Sequence, residues 1–542
     1  LDYIQKKSKK MMKQLVLFLS LISLVFLTAC GGSGGSSNKG DKTMYIGMVN
    51  PPASFNPINS SDIAAQYAER FMFDSFLDMT SALEFKPKLA DSIDTTDNQT
   101  YTIKLNPKAK WSDGQSITAD DVVFTFNLIA NPKTETHVGG NLSPLQGLDG
   151  AGKLPAGQTT IPGLKTVDEH TVEFKTQKPV DPNYVKEMIG TKVITLPEHV
   201  LKDVAPDKLA EDPFMIKPNV TSGPYKFVKY SKNQYVQYVS NDKYYLGKPK
   251  IKNMYIKIMP APNLVAQLQS GEIQMNASFG IGDITFQDLD TVKKLSNVNT
   301  SVEKQIGFQT MQFNTKTIKD AKVRQAFVYA INRQQIVDKL LKGQGEIVDG
   351  PYTSLNPYLD KSIKPIPYDP NKAKQMLKDA GFDFNKTINF VVPIGNKIRE
   401  DSANIIAENL KAVGVKVKTT TYDFPTIMQK GKAGDFDILL IGFTMNLDPD
   451  LSSLYAPGGT YNFMGYDNPE NTDLLKQGKS EPDATKRKEI YNKLQNLWEK
   501  DMPVITLYSM KEIVAVSKNV THGGPKPFGT QYDLQDWDLK SK

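Results

Sequence analysis

The chain has 542 residues, with 66 Lys and Arg against 59 Asp and Glu, a formal net charge of +7 and 39% hydrophobic content. Without residues 1–30 the balance is 61 cationic against 58 anionic side chains, or +3, with no basic block; this excludes an electrostatic footprint for nucleic acid and a hold on membranes by charge alone. The length suits two or three domains with their own cores, and since Cys30 is the only cysteine, disulfides are excluded as a source of stability.

In chain order, Lys6, Lys7, Lys9, Lys10 and Lys13 precede an apolar run from Leu15 to Leu27 broken only by serines. A charged segment followed by an apolar stretch of this length predicts a signal peptide over 1–29, too short to span a bilayer comfortably. Leu1 is no initiator, and Met11 or Met12 is read as the start. Leu27-Thr28-Ala29-Cys30 matches the bacterial lipobox, so Cys30 is read as the lipidated first residue of the mature protein. Residues 30–42 are Gly- and Ser-rich and predict a flexible tether with a reach of roughly 20 Å.

Thereafter strands and helices alternate. Tyr101–Leu105 reads as a strand, and Thr118-Ala119-Asp120-Asp121 as a capping-box-like helix start with an acid at the third position. A helix is predicted after Asp320, with Val323, Ala326, Phe327, Ala330, Ile331, Val337, Leu340 and Leu341 on one face and Gly343 past its end. Arg324 and Asn332 on it are read as structural. Asp369-Pro370 opens a helix that stops at Gly381. Ile405, Ile406, Leu410 and Val413 mark another, ending at Gly414 before the strand Val415–Thr419, and a last helix through Trp498 precedes the apolar strand Val504–Tyr508. This is α/β organisation, with helices covering a mostly parallel sheet.

The chemistry-bearing patterns are sparse. There is no CxxC, HExxH, P-loop or GxGxxG, and the four histidines, His137, His170, His199 and His522, are widely spaced. Gly31–Gly35 satisfies G-x-S-x-G but sits in the tether, where no strand and helix flank it. Asp448-Pro449-Asp450 reads as an Asx-Pro turn rather than an acid pair. No catalytic residue, metal ligand or cofactor is assigned.

Several segments nevertheless resemble blocks of one family in its order. These are Phe55-Asn56-Pro57, Lys86–Ser92, Trp111–Val122, Ser222–Tyr225, Leu268–Ile273, Val323–Arg333 and Ala373–Phe382. The run Trp111-Ser112-Asp113-Gly114-Gln115-Ser116-Ile117-Thr118-Ala119-Asp120-Asp121-Val122 is the longest and most specific. Over residues 43–542 the chain is similar to the family-5 extracellular solute-binding proteins, the peptide-binding lipoproteins of ABC importers, and is most like their Gram-positive members.

The resemblance implies a periplasmic-binding-protein type II (venus flytrap) fold of two α/β lobes plus an extra domain, with mixed sheets. Lobe I would take 43–80, 193–303 and 504–542, the extra domain 81–192, and lobe II 304–503. It implies a monomer on the outer face of the cell membrane, held by its lipid, that passes oligopeptides to ABC permease subunits and catalyses nothing. The rival readings are a receptor for a nickel complex, haem or sugar, a receptor for a peptide pheromone, and an extracellular hydrolase.

By the same resemblance, backbone from Ser60, Ser61 and Asp62 would meet the ligand from one lobe, and Gly442, Phe443, Thr444, Met445 and Asn446 from the other. Many members carry an aspartate here for the peptide's α-ammonium; this chain has Asn446, with Asp448 and Asp450 just beyond. Longer peptides, whose ends need not be fixed, are favoured accordingly. Phe313, Tyr352 and Tyr461 are further candidates for pocket walls.

Overall fold

A computed structural model describes residues 41–60, 62–525 and 531–540. The signal peptide, the Cys30 anchor and the tether up to residue 40 fall outside the described residues, as does Ser61. No described helix is long and apolar enough to cross a membrane.

The architecture hangs on one strand, Val504–Ser517, that serves two sheets. Its first half pairs antiparallel with Gly307–Phe313, which leads to Ile438–Thr444, then Thr387–Pro393 and Lys416–Tyr422. Its second half pairs with Val298–Lys304 and Met275–Asn276; beyond the latter lie Thr43–Met48, Asn253–Ile258, Tyr235–Ser240 and Tyr225–Ser231. With the short strand Gly345–Glu346, which also pairs with Val504–Ser517, twelve strands form one hydrogen-bonded system with two lobes. The strands Val298–Lys304 and Gly307–Phe313 are joined through Gln305 and Ile306, so a second segment crosses beside the first. Parallel and antiparallel pairs mix in both lobes, where the alternation of elements predicts a mostly parallel sheet.

A separate four-stranded antiparallel sheet orders Ala90–Thr95, Thr100–Leu105, Thr171–Lys175 and Lys165–Asp168. Helix Ala119–Ala130 covers it through Val122, Phe126 and Ile129, which bury with Ile103, Val172 and Phe174 in the core that also fills the first lobe. The capping box forms as predicted, with the Asp121 carboxylate accepting from the Thr118 backbone at 2.9 Å.

The long helix predicted after Asp320 is instead two, Ala321–Ala330 and Arg333–Leu340. Ile331 is extended, and Asn332 starts the second helix by accepting from the Gln335 amide at 2.9 Å. Its own N–H goes to Asn409 Oδ1 at 2.8 Å, so capping outcompetes the apolar periodicity that runs through the break. The final strand extends to Ser517, nine residues past the predicted end at Tyr508.

Arg324 takes the structural role assigned to it. Its guanidinium, buried, donates to the carbonyls of Ile318, Lys319, Asp501 and Met502, tying three segments together. Replacing it with methionine strands those acceptors. Arg324→Met is expected to lower stability by about 3 kcal/mol, read as a fall in the urea midpoint; an unchanged midpoint would show that water takes over the carbonyls.

Candidate functional site

The N-terminal helix of the first lobe, Ile63–Glu69, starts where Asp62 accepts from the Ala65 amide at 2.7 Å. Ile63, Gln66, Tyr67 and Arg70 follow at spacings of three, four and seven, so one face of this turn of chain looks onto a cavity of about 500 Å³. Its opposite wall comes from the second lobe through Thr444, Met445 and Asn446. Phe279 and Ile306 close it near the crossing strands, and His137, Glu187, Met188 and Lys192 reach in from beside the four-stranded sheet. That volume falls inside the ~300–1,000 Å³ of small-ligand sites. A second cavity of about 460 Å³, between Gly140 and Ser143 on one side and Ser452, Gly458 and Thr460 on the other, shares Met188 and Asn446 with the first.

The strand that ends in this wall has an open edge. Ile438–Thr444 pairs along its whole length with Gly307–Phe313, but on its other side pairing with Thr387–Pro393 stops at Val391 opposite Leu439. From Leu440 to Thr444 that side has no strand beside it among the described residues. A Cβ at Gly442 would push against the terminal amide of Gln309, which Arg399 holds at 2.8 Å, so a larger residue here would displace that amide.

Charges inside the cavity are unevenly compensated. Glu69 is buried and accepts from the Ser60 hydroxyl; burial pushes its carboxyl up from 4.5 to about 8, against the pull of that hydrogen bond. Burial pushes Arg70 and Lys192 down, against the opposing pull of Asp78 on Arg70 and of Glu187 on Lys192, with the charge of Arg70 adding a smaller downward push on Lys192. Lys192 Nζ donates to Asn446 Oδ1, and the Glu187 carboxylate accepts from the amides of Leu447 and Asp448 at 2.8 and 2.7 Å. Deeper in the same seam Arg487 bridges Asp448 (2.7 Å) and Asp181 (3.1 Å), and the Tyr358 hydroxyl donates to Asp181 at 3.3 Å. The segment 181–192 is thereby fastened to the second lobe by buried polar contacts.

The residues expected at the site are only partly brought together. Thr444, Met445 and Asn446 stand on the wall, while Phe443 packs edge-on against the half-exposed Tyr461 with centroids 5.4 Å apart. The Ser60 carbonyl already accepts from Gln66 Nε2 at 2.8 Å, and Asp62 is spent on its helix. Phe313 is wholly buried against Phe327, and Tyr352 is buried with its hydroxyl on the Pro449 carbonyl at 2.6 Å, so both belong to core packing rather than the cavity wall. Asp448 borders the second cavity but is buried, and Arg487 holds both of its oxygens. Asp450 accepts from the Ser452 amide at 3.0 Å and borders only the second cavity. The sequence reading missed Arg70, Glu187, Met188 and Lys192. For Arg70 a signal existed, since it is one of five arginines among 66 cationic residues.

Two lobes sharing crossing strands, with a cavity between them, define the type II periplasmic-binding-protein fold. The sequence profile of bacterial extracellular solute-binding proteins, family 5 Middle, matches residues 84–465, and the chain belongs to this family. It is 28% identical over 519 residues to the oligopeptide-binding protein AppA of Bacillus subtilis, covering 92% of this chain and 91% of AppA. The AppA structure, solved in complex with a nonapeptide, superposes with a TM-score of 0.76 at 27% identity over 92% of this chain and 99% of that one. The crystal structure of the ABC transporter substrate-binding protein CtaP of Listeria monocytogenes gives 0.80 at 26% identity, covering 92% and 99%.

The raised Glu69 carboxyl fixes a sign. Its contribution to folding is fully favourable below the ordinary 4.5, declines as pH rises and is wholly lost above about 8. Glu69→Gln, which keeps an acceptor for Ser60, is expected to leave stability unchanged at pH 4 and to raise it at pH 8 by on the order of 4 kcal/mol, read as a higher thermal midpoint. A drop at pH 8 would mean that the folded protein does not hold the Glu69 carboxyl above its ordinary range.

Proposed function

We propose that this protein captures oligopeptides outside the cell and hands them to the membrane permease of an ABC importer, without acting on them chemically. The observation that carries this reading is the unpaired edge from Leu440 to Thr444, running into a cavity that both lobes line. An extended guest adds to such an edge through main-chain hydrogen bonds, which are blind to side-chain identity. Met79, Met188 and Met445 on the surrounding walls suit varied side chains, because an unbranched thioether repacks at low cost. AppA was solved with a nonapeptide, and a guest of that length fits the second cavity continuing past Asn446.

The working parts are lobe I (43–80, 193–303 and 504–542), the extra domain (81–192) and lobe II (304–503), closing as a monomeric clamp about the crossing strands. Cys30 carries the lipid that keeps the clamp at the membrane. Ligand stabilises the closed form by its greater affinity for it, and the closed form docks on the permease. The ligand-binding groups are the backbone of Gly442 to Asn446, with the loop at Ser60 to Asp62 opposite.

Calorimetric titration of the protein with mixed oligopeptides of five to nine residues is expected to give saturable heat with micromolar affinity, about 8 kcal/mol, and a raised thermal midpoint. Recovered peptides should be intact. No heat and no thermal shift across the mixtures would defeat the reading, and cleaved products would replace it with hydrolysis.

A further inference from the structure

The five arginines of this lysine-rich chain are at positions 70, 324, 333, 399 and 487. Four are committed to protein partners. Arg324 holds its four carbonyls, Arg399 donates to Gln309, and Arg487 bridges two carboxylates. Arg333 pairs with Asp349 and donates to the carbonyls of Thr506 and Ile366. Arg70 differs. Among the described residues its guanidinium has no hydrogen bond and no ion pair, although it stands on the cavity wall.

The neighbouring acids are occupied elsewhere. Asp78 pairs with Lys88 at 3.1 Å, Glu187 accepts two backbone amides of the second lobe, and Glu69 faces Ser60. Lys192 brings a second positive charge to the same wall, with only the neutral Asn446 as its hydrogen-bond partner. On the second lobe's side, Asp448 is taken up by Arg487. The cavity therefore holds two cations, no carboxylate bonds to either, and partial removal from water makes both costly. A guanidinium fork in that state matches a carboxylate bidentately, and the exchange of water for such a partner strengthens as the cleft dries.

We propose that Arg70 is the receptor for a carboxylate of the guest peptide, with Lys192 as a second positive charge on the same wall; this rests on the peptide reading above. The cleft then selects an acidic group, whether the peptide's own terminus or an Asp or Glu side chain, and reads the rest of the guest through its backbone. Arg70 is thus a specificity-determining residue contributed by the end of the first lobe's N-terminal helix.

The full chain is incubated with three randomised nonapeptide libraries: one with free C-termini and no Asp or Glu, one amidated but containing Asp and Glu, and one amidated without either. Retained peptide is quantified by mass spectrometry. Roughly tenfold greater retention of the first, the second or both over the third is expected, the first arm marking the terminal carboxylate and the second a side chain. Arg70→Gln should still retain peptide but lose the preference. Arg70→Lys, which keeps charge without the fork, should weaken it several-fold, and covers the case in which Arg70→Gln has no cooperative unfolding transition. Equal retention of all three libraries by the wild type, or an unchanged preference in either folded variant, overturns the assignment and leaves peptide capture standing. Retention of none overturns both.

Discussion

Strand Val504–Ser517 cannot belong to one lobe alone: Ile505 and Thr506 pair into the second sheet through Met311 and Thr310, and Val514 and Val516 pair into the first through Ser301 and Asn299. Everything that makes a cleft follows from that sharing. Two sheets hung on one continuous strand can pivot but cannot separate, and a second, antiparallel crossing at Gln305-Ile306 limits the pivot to a hinge. The change-over is marked chemically. Lys511 and Glu512 lie opposite Lys304 and Glu303, so charged side chains fill the stretch where neither core is thick enough to bury apolar ones.

Polar groups, rather than apolar ones, fasten the segment 181–192 to the second lobe. Arg487 between Asp181 and Asp448, and Glu187 under two backbone amides, bury four charged side chains where their desolvation is only balanced if every contact is made. Contacts of that kind contribute geometry more than free energy: a shift of one ångström leaves charges unpaired, so the seam tolerates few arrangements. An apolar seam of equal area would slide. Arg70 is the contrasting case: it stands on the cavity wall with no hydrogen bond or ion pair from its guanidinium among the described residues.

Much of the fold was readable because local signals agreed with tertiary demands. Thr118 with Asp121, Asp369 with Pro370, and Gly414 in a left-handed conformation each stand where capping and turn chemistry place them. The misreadings share one origin, that periodicity does not see partners distant in sequence. Asn332 breaks a helix by bonding to Gln335 and Asn409, and the last strand runs on past Tyr508 because Val298–Lys304 is there to receive it. At the site, Phe313 and Tyr352 were chosen for their aromatic character, which says nothing of facing; both turned inward. Arg70, Glu187 and Asn446 meet across 376 residues of chain, and no local motif encodes such a meeting.

The position of the crossing strand also governs when the molecule can exist. The first lobe's opening strand, Thr43–Met48, has to wait for Asn253–Ile258 and Met275–Asn276 before it has neighbours, and both sheets lack their common member until residues 504–517 arrive. A polypeptide emerging amino end first, from a ribosome or through a translocation pore, therefore stays short of its native form until almost its last residue is free. In an exported chain, slowness of assembly, ordinarily a hazard, keeps the polypeptide threadable for as long as threading lasts.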